Sequence, residues 1–217
     1  MSQSHPIRLI WKGSLIMVIG TSAVAAGAWG VAVTLRNVVG HSVPQTAAPL
    51  PDYGPLPDFS VIDQAGRPLR RGNLLGSVWI ADFIFTRCAG QCPMMTGQMK
   101  RLQRELTREP GIRFVSFSVD PGYDTPDRLA AYAQQSGADT TSWRFVTGEP
   151  EAILRLAREG FRLGVSKDGT AEEPITHSVR LVLIDQRGAV RGYYDATDEQ
   201  AMTRLRGDAH RLQGEAR

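Results

Sequence analysis

Cys88 and Cys92 are the two cysteines of the sequence, and their spacing makes them one local chemical unit. A single pair is too small for a disulfide framework, so it would either form one strained disulfide or hold a metal ion. The pair lies between a long apolar stretch and an amphipathic stretch, where a strand would end and a helix begin. The partial positive charge of a helix N-terminus stabilises thiolates, the form that reacts and binds metals. We therefore expect low-pKa thiols here.

His177 is the third candidate ligand. His5 and His41 lie in the N-terminal part of the chain, and His210 lies late in the last predicted helix, among charged residues. His177 instead stands directly before an apolar, β-branched stretch. A structural zinc site prefers four nitrogen or sulfur ligands. Two thiolates and one imidazole are a softer and smaller set, which favours Cu(I).

The elements that must position these residues alternate between strands and helices. The predicted strands are 59–63, 77–85, 113–119, 143–146, 179–184 and 189–194. The predicted helices are 93–108, 125–137, 149–159 and 198–212, and residues 160–175 are predicted to be irregular. This alternation predicts an α/β domain with a central mixed sheet flanked by helices. The final hairpin and helix are the ending of a thioredoxin-like fold, whose topology would bring His177 toward the cysteine turn.

The N-terminal part predicts membrane attachment. Residues 13–35 carry no charge, and about 20 apolar residues span a bilayer core. Arg8 and Lys12 precede them, so the positive-inside rule predicts a cytoplasmic tail at 1–12 and a single-pass anchor at 13–35 in the inner membrane. Small residues between Ala23 and Ala28 leave a cleaved signal peptide as the alternative. The rest of the chain would lie on the periplasmic side.

Beyond the anchor the sequence predicts a linker and one domain. Prolines are concentrated in residues 36–57, which predicts an extended, semi-rigid spacer, and residues 58–217 form the domain. The whole chain has 25 basic and 22 acidic residues. The basic excess lies at the N-terminus, so the domain is close to neutral. This composition argues against a nucleic-acid partner.

Three separated motifs resemble the Sco/SenC family of copper proteins for cytochrome c oxidase assembly. The resemblance covers about residues 58–205. The matching positions are Phe83, Phe85, Thr86, Cys88, Cys92, Pro93, Met95 and Thr96, then residues 120–126, and finally His177, Ser178, residues 183–185 and residues 192–195. The chain departs from the common pattern at Ala89-Gly90-Gln91, between the cysteines. That departure leaves the ligands intact and bears on partner recognition.

The resemblance implies a membrane-anchored copper metallochaperone. By it, Cys88, Cys92 and His177 bind Cu(I), with Cu(II) left open, and the protein delivers copper to the copper-site subunit of cytochrome c oxidase. It also implies a thiol reductant of thioredoxin type and a copper donor as partners. This function is not catalytic.

A thiol-disulfide oxidoreductase is the alternative function, in which Cys88 and Cys92 form a redox-active disulfide that keeps oxidase cysteines reduced. Asp82 supports it, because thioredoxins place a buried acid six residues before the first cysteine, where it could accept a proton. The spacing opposes it, because thioredoxin-type enzymes use Cys-x-x-Cys. His177 discriminates, since copper binding alone requires it. A peroxidase is disfavoured, because no arginine–threonine constellation surrounds a single nucleophilic cysteine.

Five further residues have two interpretations each. Asp120 and Asp124 are predicted to cap a turn and a helix, and otherwise would orient a ligand or meet a partner. Met94, Met95 and Met99 are predicted to pack in the core, and otherwise would offer thioethers to passing Cu(I).

Overall fold

The computed structural model describes residues 48–106, 111–166 and 176–215. The predicted tail and anchor lie outside these ranges, as does most of the predicted linker. Within the ranges, no helix is long and apolar enough to cross a membrane.

The described residues form a mixed sheet flanked by helices, as predicted. The strands are β1 Ser60–Asp63, β2 Pro68–Arg70, β3 Val78–Ile84, β4 Ile112–Ser118, β5 Trp143–Thr147, β6 Val165–Ser166, β7 Thr176–His177, β8 Arg180–Ile184 and β9 Val190–Asp195. In the described ranges, seven strands make the main sheet in the order β2-β1-β5-β4-β3-β8-β9, and β6 pairs with β7. Strands β3, β4 and β5 are parallel to one another, and the remaining pairs are antiparallel.

Four α-helices occur in the same ranges, and all four were predicted. They are α1 Gln91–Leu106, α2 Pro126–Ser136, α3 Pro150–Arg155 and α4 Glu199–Gly214. Helix α2 has the predicted ends: the Thr125 side chain accepts a hydrogen bond from the Arg128 N–H, and Gly137 stops the helix at φ 65°. Glycine adopts this left-handed backbone conformation at no steric cost.

The structure differs from the sequence predictions in short elements. Helix α1 begins at Gln91 rather than Pro93, which places Cys92 in its first turn. Strand β2 spans three residues that were not predicted to be a strand, because so short a strand has too little alternation to recognise. The end of the predicted third helix is a π-helical turn, Leu156–Gly160. Strand β6 lies in the stretch predicted to be irregular.

The core is centred on β3, whose seven residues are all buried. Aromatic rings cover it: Phe83 stacks on Phe117 at 5.2 Å between ring centroids, and Phe161 packs edge-on against Phe83 at 5.1 Å. Such pairs add about 0.5–1.5 kcal/mol to the burial of the rings themselves. The strand that leads to the cysteines is therefore rigidly held.

The sheet has two edges with different roles. Strands β3, β4 and β5 end at the edge where antiparallel β8 begins, and we call this the cysteine edge. The opposite edge carries the β8–β9 turn, and there the chain enters the domain. Arg191 donates hydrogen bonds to the carbonyls of Pro51, at 2.7 Å, and Leu50, at 2.9 Å, and it pairs with buried Asp185 at 3.0 Å. We call this the N-terminal edge.

Gly192 in β9 lies beneath the ring of Tyr194. A Cβ atom at Gly192 would meet the Tyr194 hydroxyl oxygen at 2.5 Å and ring carbons at 2.7 and 2.8 Å. The ring cannot withdraw freely, because its hydroxyl donates a 2.8 Å hydrogen bond to Asp208. We expect Gly192→Ala to lower the free energy of unfolding by about 1–3 kcal/mol, measured by chemical denaturation.

Gly207→Ala is the matched control for that substitution. Gly207 lies within α4, and nothing stands within 4 Å of the added Cβ. Alanine in a helix interior is more stable than glycine by about 0.5–1 kcal/mol, so this variant should be stabilised. A loss of stability of similar size in both variants would contradict the steric explanation.

Candidate metal and redox site

The two cysteines meet at the junction between β3 and α1. Residues 85–90, which we call the cysteine loop, join the end of the buried strand to the first turn of the helix. The Cys88 N–H donates a 3.2 Å hydrogen bond to the Phe85 carbonyl, which closes the turn. The predicted strand-to-helix junction is confirmed.

The cysteines differ in exposure, and burial controls their chemistry. Cys88 keeps 9% of its surface accessible and Cys92 keeps none; they are not joined by a disulfide. Burial raises the pKa of the Cys92 thiol above its ordinary value, and interaction with Cys88 and Asp82 raises it further, while a backbone hydrogen bond from Phe85 offsets this only in part. The expectation of a lowered pKa is therefore wrong for Cys92: desolvation outweighs the charge of the helix N-terminus.

Asp124 holds the start of the cysteine loop in place. Its fully buried carboxylate accepts hydrogen bonds from the Thr86 N–H at 3.1 Å and from the Ser118 hydroxyl at 2.6 Å. The Thr86 hydroxyl also donates to it. Hydrogen bonds to a charged acceptor are about twice as strong as neutral ones, so this carboxylate fixes the backbone two residues before Cys88.

A second interaction that holds the cysteine loop, an ion pair, lies on the surface beside Asp124. The Arg87 guanidinium donates a 2.7 Å hydrogen bond to the Asp120 carboxylate, and it lies 4.9 Å from the centre of the Tyr123 ring. The Asp120 carbonyl accepts from the N–H groups of Tyr123 and Asp124, which closes a turn here. The predicted capping by the two acids is wrong: the Asp120 side chain pairs with Arg87, the Asp124 side chain bonds to Thr86 and Ser118, and Thr125 caps the helix. No local sequence pattern indicated that Arg87 binds Asp120 or that Thr86 binds Asp124, because the partners are far apart along the chain.

The backbone of His177 lies near the cysteine pair. It pairs with Val165 across the small β6–β7 ladder and precedes β8. The register from Trp79↔Ile184 to Ala81↔Val182 points the start of β8 toward the end of β3, so the His177 backbone lies at the cysteine edge. Its side chain is outside the described part of the structure. Among the side chains that are described, no group of three His, Cys, Asp or Glu residues could hold a metal ion.

Asp82 is a fully buried acid in the central strand. The sequence also allows an acid at a strand edge that bonds to backbone, and that interpretation is wrong, because β3 lies between β4 and β8. The Ser116 hydroxyl and the backbone of Asp82 itself lower its pKa, although among the described residues neither carboxylate oxygen has a partner with good hydrogen-bonding geometry. Burial dominates and raises the pKa of Asp82 to about 7. A group that gains and loses a proton near neutral pH thus lies close enough to Cys92 to affect its ionisation.

The methionines of α1 belong to the core. Met95 and Met99 are fully buried within it, and Met94 is half-buried and packs against it. The prediction of core packing is confirmed for Met95 and Met99.

The fold and the site define a class: a thioredoxin-like domain with a Cys-x-x-x-Cys pair where its central strand meets a helix. The model of the SCO1/SenC family matches residues 52–207 of this chain. The chain therefore belongs to the SCO1/SenC family.

Curated relatives agree with this assignment. The chain is 34% identical over 142 residues to a SCO1 protein homolog of Bacillus subtilis (strain 168), covering 64% of this chain and 73% of the relative. It is 30% identical over 151 residues to a protein of Stutzerimonas stutzeri named for copper binding, covering 68% and 72% respectively.

Solved structures agree as well. A SCO1/SenC family lipoprotein from Bacillus anthracis str. Ames superimposes with a TM-score of 0.71 at 34% identity, covering 76% of this chain and 99% of that one. BsSco, a Sco family cytochrome c oxidase assembly protein with a disulfide switch, has a TM-score of 0.67 at 30% identity, covering 75% and 96%.

Proposed function

We propose that this protein is a copper metallochaperone that binds Cu(I) through Cys88, Cys92 and His177 and delivers it to the copper-site subunit of cytochrome c oxidase. The observation that carries the proposal is the meeting of two thiols at the edge to which β8 brings the backbone of His177. Family membership supports it, as do the relative named for copper binding and the similarity to an oxidase assembly protein.

Burial of the two thiols is compatible with Cu(I) binding. Metal binding requires both thiols to lose their protons, and a buried thiolate without a counter-charge is costly. A Cu(I) ion between the sulfurs supplies that charge, so Cys92 would ionise on loading although its pKa is raised in the thiol form. The low exposure of the pair also limits water as a competing ligand, which suits an ion of low coordination number.

The location we propose follows from the N-terminal sequence. Residues 1–12 are a cytoplasmic tail, residues 13–35 a single-pass anchor, residues 36–57 a linker, and residues 58–217 a domain on the periplasmic side of the inner membrane. Disulfides persist in that compartment, so loading would require a thioredoxin-type reductant for Cys88 and Cys92 as well as a copper donor.

The experiment that tests the function is a Cu(I) titration of the full chain and of His177→Ala, against a competing chelator. The wild-type protein should bind one Cu(I), with two sulfur ligands and one nitrogen ligand in X-ray absorption. The variant should bind about tenfold or more weakly, because a lost ligand contributes at least about 1.4 kcal/mol. Its rate of disulfide exchange should be unchanged. His210→Ala is the matched control and should bind copper like the wild type.

A thiol-disulfide oxidoreductase is the second candidate, and buried Asp82 is the observation that favours it. A carboxyl group with a pKa of about 7 beneath the cysteine pair could accept a thiol proton during disulfide exchange. The same His177→Ala variant separates the two functions. Unchanged copper affinity together with lower thiol reductase activity in this variant would exclude the chaperone function and support the oxidoreductase function.

A further inference from the structure

A polar cavity of about 260 Å³ lies at the N-terminal edge, opposite the cysteines. It opens between the β1–β2 turn and the beginnings of β4 and β5. Three arginines from three separate parts of the chain line it: Arg67, Arg113 and Arg144. Nothing in the proposed copper function uses this cavity.

One carboxylate faces the three arginines among the described lining residues, and its acceptor capacity is already used. Asp63 accepts hydrogen bonds from the N–H groups of Ala65 and Arg67, each at 2.9 Å. Its other oxygen accepts from the Arg67 guanidinium at 3.1 Å. Burial would raise the pKa of Asp63, but these bonds outweigh it and the pKa is lowered. Asp63 therefore neutralises Arg67.

The positive charges of Arg144 and Arg113 have little compensation from negative groups. The nearest Arg144 nitrogen is 3.6 Å from Asp63, which is too far for a hydrogen bond. Burial lowers the pKa of Arg144, and the positive charges of Arg67 and Arg113 lower it further against the opposing effect of Asp63. Arg113 donates to the neutral Ser77 hydroxyl at 3.1 Å, and no carboxylate in the described ranges pairs with it.

We propose that this cavity binds a phosphate group, held mainly by Arg113 and Arg144. Three guanidinium groups against one carboxylate leave an excess of two positive charges in a concave place, where the guanidinium of Arg144 is partly desolvated while those of Arg67 and Arg113 remain accessible to a ligand. Guanidinium groups present paired N–H donors that match the oxygens of phosphate. A bound phosphate would relieve the mutual repulsion of the arginines and supply the acceptors they lack.

Two sources offer this chemistry: inorganic phosphate and the phosphate of an anionic phospholipid headgroup. The cavity shares its edge with Leu50 and Pro51, where the chain enters the domain. The proposed anchor at residues 13–35 precedes this entry point along the chain. The headgroup source rests on the proposed anchor, whereas the inorganic source does not.

The test uses the full chain in nanodiscs of neutral phosphatidylcholine. Arginines are modified with phenylglyoxal, and the modification of Arg144 is followed by mass spectrometry as inorganic phosphate is added at constant ionic strength. We expect phosphate to protect Arg144 at a concentration that gives a dissociation constant. In Arg113→Gln that constant should rise about tenfold or more, whereas in Arg204→Gln, on the distant helix α4, it should not change.

Nanodiscs containing anionic phosphatidylglycerol identify the source. Protection of Arg144 without added phosphate indicates the headgroup, and protection only by added phosphate indicates the inorganic ion. The proposal is overturned if neither protects Arg144, if exposed Arg204 is protected equally, or if Arg113→Gln retains wild-type affinity. Cu(I) affinity is measured on the same Arg113→Gln sample and should be unchanged, so failure of this site is distinguishable from failure of the copper function.

Discussion

Cys88→Ser and Cys92→Ser should each abolish tight Cu(I) binding, the largest effect we expect from any substitution in this chain. A single thiolate and an imidazole cannot enclose the ion, and serine is a poor ligand for a soft metal. Structural metal sites with four ligands provide roughly 10–16 kcal/mol, or about 2.5–4 kcal/mol per ligand. Loss of one thiolate should therefore weaken binding by roughly 100- to 1,000-fold, measured by competition with a chelator of known Cu(I) affinity.

Met94→Leu is the matched control for the cysteine variants. Met94 is the half-buried methionine of α1 next to the loop, and its replacement removes a thioether while keeping the size and packing of the side chain. Its Cu(I) affinity should equal that of the wild type. Wild-type affinity in Cys88→Ser or in Cys92→Ser would exclude the proposed ligand set.

Asp82→Asn should change how stability depends on pH. The folded state raises the pKa of Asp82 from 3.8 to about 7, so between these values the folded protein retains a proton that the unfolded chain has lost. The stability contribution is fully present below about pH 4 and is lost as the pH rises through about 7. At about 1.4 kcal/mol per pH unit, the loss is on the order of 4 kcal/mol. The side-chain amide of the variant cannot ionise, so Asp82→Asn should lack this loss.

The measurement is the free energy of unfolding of reduced protein between pH 4 and pH 8. Asp63 and Asp185, whose pKa values are lowered, lose their contributions only at lower pH. The difference between wild type and variant is the readout, because it isolates the effect of the Asp82 substitution. Asp58→Asn, at an acid whose side chain is 88% exposed, should keep the wild-type profile. A wild-type profile in Asp82→Asn would show that the buried carboxyl does not titrate in this range.

The sequence predicted the strands and helices that are long enough to show a hydrophobic pattern. Apart from Asp82, strand β3 is an apolar run because both of its faces are covered, and α1 repeats its apolar residues at helical spacing. Strands β2 and β6 have three and two residues, too few for any periodicity. Such strands form because a neighbouring strand offers hydrogen bonds, which is information that no local pattern contains.

For the candidate site, the sequence predicted which residues could bind metal or react, but not the environment of their side chains. The cysteine motif and the family resemblance identified the pair, and the junction between strand and helix was predicted from pattern. The sign of the pKa change at Cys92 was not predictable, because it depends on how deeply the first turn of α1 is buried. The cavity at Arg67, Arg113 and Arg144 was not predictable either, because only the strand register brings these arginines together.

The unequal exposure of the cysteines has a consequence for the oxidised form of the protein. In a Cys88–Cys92 disulfide, an incoming thiolate could reach only the sulfur of Cys88, so Cys92 would be the leaving group. Thiols with a raised pKa leave slowly, and Cys92 is such a thiol. Small-molecule thiols should therefore open the disulfide sluggishly. A protein reductant that displaces the cysteine loop and exposes Cys92 to water would remove that barrier, which would restrict reactivation of the pair to its own partner.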